Sequence, residues 1–308
     1  MTNRFELIVL FLGLTLVARL TACTDSPNPL QQHGQDEGWR ILVQAGGELY
    51  FLDLGSTSLR PIGLEPDNAD HSHRSGSFDP TGTKVVFTQQ WNSVALFDLA
   101  TKQAETILKL PYIDDARWSH NRDEIALEGR SASDGKCDIY VYSLLNRKTT
   151  LVVDKQLERG YELFSWAPDG TEIVYEDSNS DIWIVNVKTR ERRRLDHGRF
   201  PTWSPNGRYI AYRVTSEYPK LLGYIVFDLQ TQHKQPILVG EDVLNALVWS
   251  PDSRYVIFSR LSRGVWGTLI GAEYWGDLYV LDLASGTQNR IYGHGGTIVP
   301  LDWSKRRL

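Results

Sequence analysis

Residues able to hold a cation or move a proton recur along this chain at intervals of about 40 to 50 residues, each time just ahead of an aromatic position. His71, His73 and Arg74 precede Phe78; Asp114 and Asp115 precede Trp118; Tyr161 and Glu162 precede Trp166; His197 and Arg199 precede Trp203; Glu241 and Asp242 precede Trp249; His294 precedes Trp303. Imidazole and carboxylate are suitable ligands for a divalent cation, and an imidazole near a carboxylate can take or give a proton near neutral pH. Apart from His71-Ser-His73 no short-range ligand spacing accompanies them, so the same residues also read as solvated loop side chains, and the spacing leaves the metal open. His33, His120 and His233 fall outside the series.

Other chemistries leave no trace in the motifs. Gly129-Arg-Ser-Ala-Ser133 lacks the second glycine of a nucleophile elbow, and neither a phosphate-cradling glycine loop, a dinucleotide fingerprint nor HExxH occurs, so no cofactor is expected. The aromatic run of Arg263–Trp275 stands out: Trp266, Tyr274 and Trp275 in a glycine-rich hairpin offer area with polar handles, suited to a peptide or a sugar face, or alternatively to capping a cavity. Arg190, Arg192, Arg193 and Arg194 form the main basic cluster, read either as a solvated face or as a contact to anionic lipid or glycan.

What must position these residues is a repeat. An aromatic anchor leads into a turn at Phe78-Asp-Pro-Thr-Gly82, Trp118-Ser-His-Asn-Arg122, Trp166-Ala-Pro-Asp-Gly170, Trp203-Ser-Pro-Asn-Gly207 and Trp249-Ser-Pro-Asp-Ser253, and the anchor returns at Trp303-Ser304. A second series, LYFLDL from Leu49, VALFDL from Val94, IYVYSL from Ile139, IWIVNV from Ile182, YIVFDL from Tyr224 and LYVLDL from Leu278, interleaves with the first. Two independent counts of six at one period predict an all-β chain: a six-bladed β-propeller of four-stranded blades. Proline fixes φ in the anchor turns and glycine tolerates positive φ. No anchor precedes Ile41, so Thr297 to Trp303 is predicted to supply the first strand of the first blade and to close the ring. In this strand order the loops between blades share one face with those joining second to third strands, which gathers His73, Asp115, Glu162, His197, Glu241 and His294 around one channel mouth.

Composition agrees with strands. The 308 residues contain 10 Trp and 14 Tyr beside one Met, and the formal charge of −5 removes most electrostatic support for nucleic-acid binding. Leu7–Ala18 is an apolar run of 12 residues, too short to span a bilayer but suited to a signal peptide. Leu20-Thr-Ala-Cys23 resembles the lipobox of bacterial lipoproteins, which implies residues 1–22 as a leader and lipid on the Cys23 thiol. Residues 23–37 then read as the lipidated cysteine and a polar disordered tether of roughly 20 Å r.m.s. reach, and 38–308 as the propeller domain. Cys137 would have no disulfide partner.

Trp203-Ser-Pro-Asn-Gly207 with Tyr209-Ile-Ala-Tyr212, and Trp166-Ala-Pro-Asp-Gly170 with Ile173-Val-Tyr175, resemble the TolB-type propeller repeat over about residues 39–308. The resemblance implies an exported six-bladed scaffold at the cell envelope that binds a protein or peptide partner, and the lipobox adds the expectation that its lipid holds it to the membrane. A monomer without nucleic-acid partners is expected. The alternative is a glycan-binding or polysaccharide-lyase-like propeller, in which channel-mouth histidines and carboxylates would work with a metal.

Overall fold

The computed structural model describes residues 39–54, 58–64, 75–130, 137–157, 164–215, 222–240, 243–261, 276–293 and 298–305. All regular structure among them is β. In chain order the strands are β1 (Trp39–Ala45), β2 (Glu48–Asp53) and β3 (Ser58–Pro61); β4 (Gly76–Phe78), β5 (Lys84–Gln89), β6 (Ser93–Asp98) and β7 (Gln103–Lys109); β8 (Tyr112–Trp118), β9 (Glu124–Arg130), β10 (Cys137–Ser143) and β11 (Lys148–Leu157). They continue with β12 (Phe164–Trp166), β13 (Glu172–Glu176), β14 (Asp181–Asn186) and β15 (Arg192–His197); β16 (Arg199–Trp203), β17 (Tyr209–Thr215), β18 (Leu222–Asp228) and β19 (Lys234–Ile237); β20 (Val243–Trp249), β21 (Tyr255–Leu261), β22 (Gly276–Asp282) and β23 (Gln288–Tyr292); and finally β24 (Ile298–Lys305).

Six antiparallel sheets of four strands result, each an up-and-down meander, and the protein is a six-bladed β-propeller. Blade one has the order β24-β1-β2-β3, so the tail does supply its innermost strand. Ile41 lies opposite Trp303 and Trp39 opposite Lys305, which carries the pairing two residues past the anchor where the sequence reading stopped. Closure of this kind leaves the first and last blades without an open edge between them.

The period-2 alternation of each strand buries both faces of every blade, and the buried side chains sort into six clusters, one per blade-to-blade interface. The anchors Trp118, Trp166, Trp203, Trp249 and Trp303 are all at most 7% exposed. Polar groups stitch neighbouring inner strands together. Asp302 Oδ2 accepts from Phe78 N at 2.7 Å, Ser77 Oγ from Trp118 N at 2.6 Å and Ser165 Oγ from Trp203 N at 3.1 Å. The Trp166 and Trp249 indoles donate to the carbonyls of Arg117 and Thr202 in the preceding blades.

The anchor turns form as their residues dictate. Gly170 has φ +68° and its N–H donates to Ala167 O at 2.9 Å, while Asp169 Oδ1 accepts from Thr171 N at 2.9 Å. Ser253 holds the same backbone region at φ 60°, where most other blades have glycine.

Candidate functional site

The six inner strands surround a central channel. A cavity of about 90 Å³ in it, room for a few waters, is lined by the anchor indoles with Ser77, Arg117, His120 and Asp302. The His120 imidazole is open to this channel; crowding by the surrounding protein depresses its pKa below the ordinary value, and Asp302 opposes that effect.

Towards the other end, where the blade-to-blade loops meet, the wall is charged. Ile113 faces Gly129 and Asp115 faces Glu128, so Asp114 is an extra residue in a β-bulge of β8. Bulges of this kind re-aim side chains. Asp115 is 1% exposed and pairs with Arg117 Nε at 2.9 Å, and Arg117 Nη1 reaches past blade two to donate to Leu301 O at 2.7 Å. The bulged Asp114 is also buried, with the Cys137 thiol 3.5 Å from its Oδ2; burial raises its pKa, countered by hydrogen bonds from Tyr112 and Cys137. The Cys137 thiol is itself pushed up to about 11 by burial, so at neutral pH it is a protonated hydrogen-bond donor and not a nucleophile.

Two further acids complete this end. Glu128 in β9 is fully buried behind Asp115, and Glu176 in β13 is 3% exposed, accepting from Arg199 Nε at 2.8 Å and Phe200 N at 3.2 Å. Phe200 packs on Cys137, which links blade five to blade three across blade four. On the adjoining rim Trp91 stacks on Tyr112 at 5.4 Å, and the Arg130 guanidinium lies 4.1 Å from the centre of the Tyr112 ring. The hairpin that presents Trp91 holds two consecutive non-glycine residues in the left-handed region, Gln90 at φ 51° and Trp91 at φ 59°. Strain of this type persists only where surrounding contacts enforce it.

Of the site residues expected from sequence, Asp115 and His197 lie among the described residues. Asp115 belongs to the channel wall. His197 ends the outermost strand of blade four, exposed, with its Nδ1 3.2 Å from Asp181 Oδ1, an oxygen that also accepts from Arg194. The structure therefore does not bring these two together. His73, Glu162, Glu241, His294, Trp266, Tyr274, Trp275 and Cys23 lie outside the described residues. Among the described residues no group of three or more His, Cys, Asp or Glu is placed to hold a metal ion. The arginine cluster is largely committed: Arg193 pairs with both oxygens of Glu172, and Arg194 with Asp181. Sequence reasoning missed Glu128 and Glu176, although an acid closing the apolar second strands EIALE and EIVYE was a readable signal.

No family model matches the chain. Two curated proteins are similar in part. Dipeptidyl-peptidase 5 of Porphyromonas gingivalis is 29% identical over 120 residues, 32% of this chain and 17% of that protein. A Tricorn-like protease C-terminal subunit of Sulfurisphaera tokodaii is 20% identical over 225 residues, 65% of this chain and 24% of that protein. The chain thus spans a quarter or less of the length of these relatives. Among solved structures, TolB from Acinetobacter baumannii superposes with a TM-score of 0.71 at 14% identity, covering 87% of this chain and 66% of that one. An oligogalacturonate lyase in complex with manganese gives 0.60 at 14% identity, covering 80% and 71%. At such identities the likeness is one of fold: a TolB-like propeller.

Proposed function

We propose that the protein is an exported, lipid-anchored propeller that holds a protein or peptide of the cell envelope at the channel mouth where the blade-to-blade loops gather. The observation that supports this reading most is the state of the charges on that wall. Asp115, Arg117 and the Leu301 carbonyl are bound to one another, as are Glu176 and Arg199, so the mouth rests on a pre-formed polar floor. A receptor ordered before its ligand arrives loses less free energy on binding. Trp266, Tyr274 and Trp275 would furnish the anchors, and His73, Glu162, Glu241 and His294 the polar contacts around them.

Capture from the native cell envelope with the full chain as bait tests the reading. Replacing Trp266 and Trp275 by Ala should weaken capture at least tenfold, since interface anchors cost about 2 kcal/mol or more when truncated, while the melting temperature stays near that of the parent. Unchanged capture would refute the assignment. So would cleavage of an acidic glycan by the purified protein, with activity lost on chelation, the outcome expected of a lyase. The anchor is tested separately by metabolic labelling with a fatty acid: Cys23→Ser should lose the label and leave the detergent phase.

A further inference from the structure

On the outer flank of the ring, away from the channel, blades three and four diverge around a groove of about 480 Å³, within the ~300–1,000 Å³ typical of small-ligand sites. The buried Tyr175 and the half-buried Trp183 line it from blade four, and Val153 and Asp154 from blade three. Trp183 Nε1 donates to Asp177 Oδ2 at 2.9 Å, and Asp177 Oδ1 accepts from Asn179 N at 2.9 Å and Asp181 N at 3.0 Å. The indole plane is therefore fixed, and both Asp177 oxygens are occupied. Across from it, on blade three, stands Asp154, exposed and without an ion pair or hydrogen bond among the described residues; on the Trp183 side Arg192 of β15 is hydrogen-bonded to the uncharged Tyr175 phenol.

We propose that this groove binds one hexopyranose ring of a neutral glycan. Trp183 would serve as the flat platform for the apolar C–H face of the sugar, Asp154 would accept from two neighbouring hydroxyls, and Arg192 with Ser178 would donate to others. The charges select this class of ligand. A cationic side chain entering the groove can pair with Asp154 but leaves the Arg192 guanidinium unanswered, and an anionic sugar can pair with Arg192 but leaves the Asp154 carboxylate unanswered. An uncharged polyol satisfies both, because each hydroxyl can donate and accept. The fixed aromatic wall with a few convergent polar groups is the usual composition of a small-molecule site. This site is independent of the channel mouth, so its failure leaves the scaffold reading intact.

The test is a titration of the full chain, solubilised in detergent, with methyl glycosides of glucose, galactose, mannose and N-acetylglucosamine, following the indole N–H resonance of Trp183 assigned through Trp183→Phe. Saturable millimolar binding of at least one glycoside is expected to shift that resonance. Asp154→Ala, at an exposed position where folding is not at stake, should weaken the binding at least tenfold. The proposal is overturned if no glycoside shifts the resonance, if Asp154→Ala binds as the parent does, or if only galacturonate or a lysine peptide binds there.

Discussion

At Asp114 the fold holds a carboxyl away from water with a phenol and a thiol for company, and the Arg130 guanidinium acts on it through its charge alone. The direction of its pKa sets the sign of a stability effect. Its folded-state pKa lies above the 3.8 of a free aspartate, chiefly through burial. The folded state therefore binds the proton more tightly than the unfolded chain, and stability falls as pH rises through 3.8 to the raised value. Above that window the penalty is constant. Asp114→Asn keeps an acceptor for Tyr112 or Cys137 while removing the charge, so thermal melts should show a higher midpoint than the parent at neutral pH and a flatter profile on the acidic side. A lower midpoint at neutral pH would mean that the carboxylate is held by a cation and needed as such. The sequence made Asp114 and Asp115 visible as acids ahead of an anchor. It could not reveal that Asp115 is spoken for, because its partner Arg117 lies two residues along the strand and is itself held by the carbonyl of Leu301, brought in only by closure of the ring.

Turns were the most legible elements, since Pro, Asp and Gly act through local φ and local hydrogen bonds that need no tertiary context. Bulges were the least legible, because an extra residue is defined only against the partner strand, as at Asp114 or between Ile182 and Trp183 where β14 meets β15. Two substitutions separate backbone conformation from contact. Gly170→Ala adds a methyl at φ +68° that would stand 2.3 Å from Asn121 Oδ1 and 2.7 Å from Ser119 Oγ, side chains of the neighbouring blade's turn. It should cost about 1–3 kcal/mol in denaturant unfolding with an unchanged slope. Ser253→Gly relieves a positive φ but removes the Oγ that accepts from Asn206 N at 3.0 Å. Relief of the backbone and loss of the hydrogen bond are each worth about 1 kcal/mol, so the net change should be within about 0.5 kcal/mol. A clear gain would show that the bond to Asn206 contributes little.

The ring as a whole is sealed twice, and the two seals can be broken separately. The backbone seal is the ladder from Ala45–Ile298 to Trp39–Lys305, which makes the innermost strand of blade one from the last residues described. The side-chain seal is Asp302, whose Oδ2 accepts from Phe78 N of blade two while its Oδ1 accepts from Trp303 N, each at 2.7 Å. Blade count and closure were readable in advance because six anchors and six third strands are offset by one, a global property that survives any error in strand ends. The side-chain seal was not, since nothing local marks Asp302 as the partner of a residue 224 positions away. Asp302→Ala leaves two amides without their acceptor, at about 1–3 kcal/mol each where water does not reach them, and should lower the unfolding midpoint while preserving a single cooperative transition. Removing residues 298–308 takes away the strand itself. It exposes one edge of β1 and uncovers the cluster that Trp303 and Ile298 share with Trp39 and Tyr255, so unfolding should broaden and the protein should associate through the freed edge. Removing residues 306–308 alone should change neither property. If the long truncation melted as sharply as the parent, blade one would be stable on three strands, and the tail would have to be counted as an accessory to the ring instead of its closure.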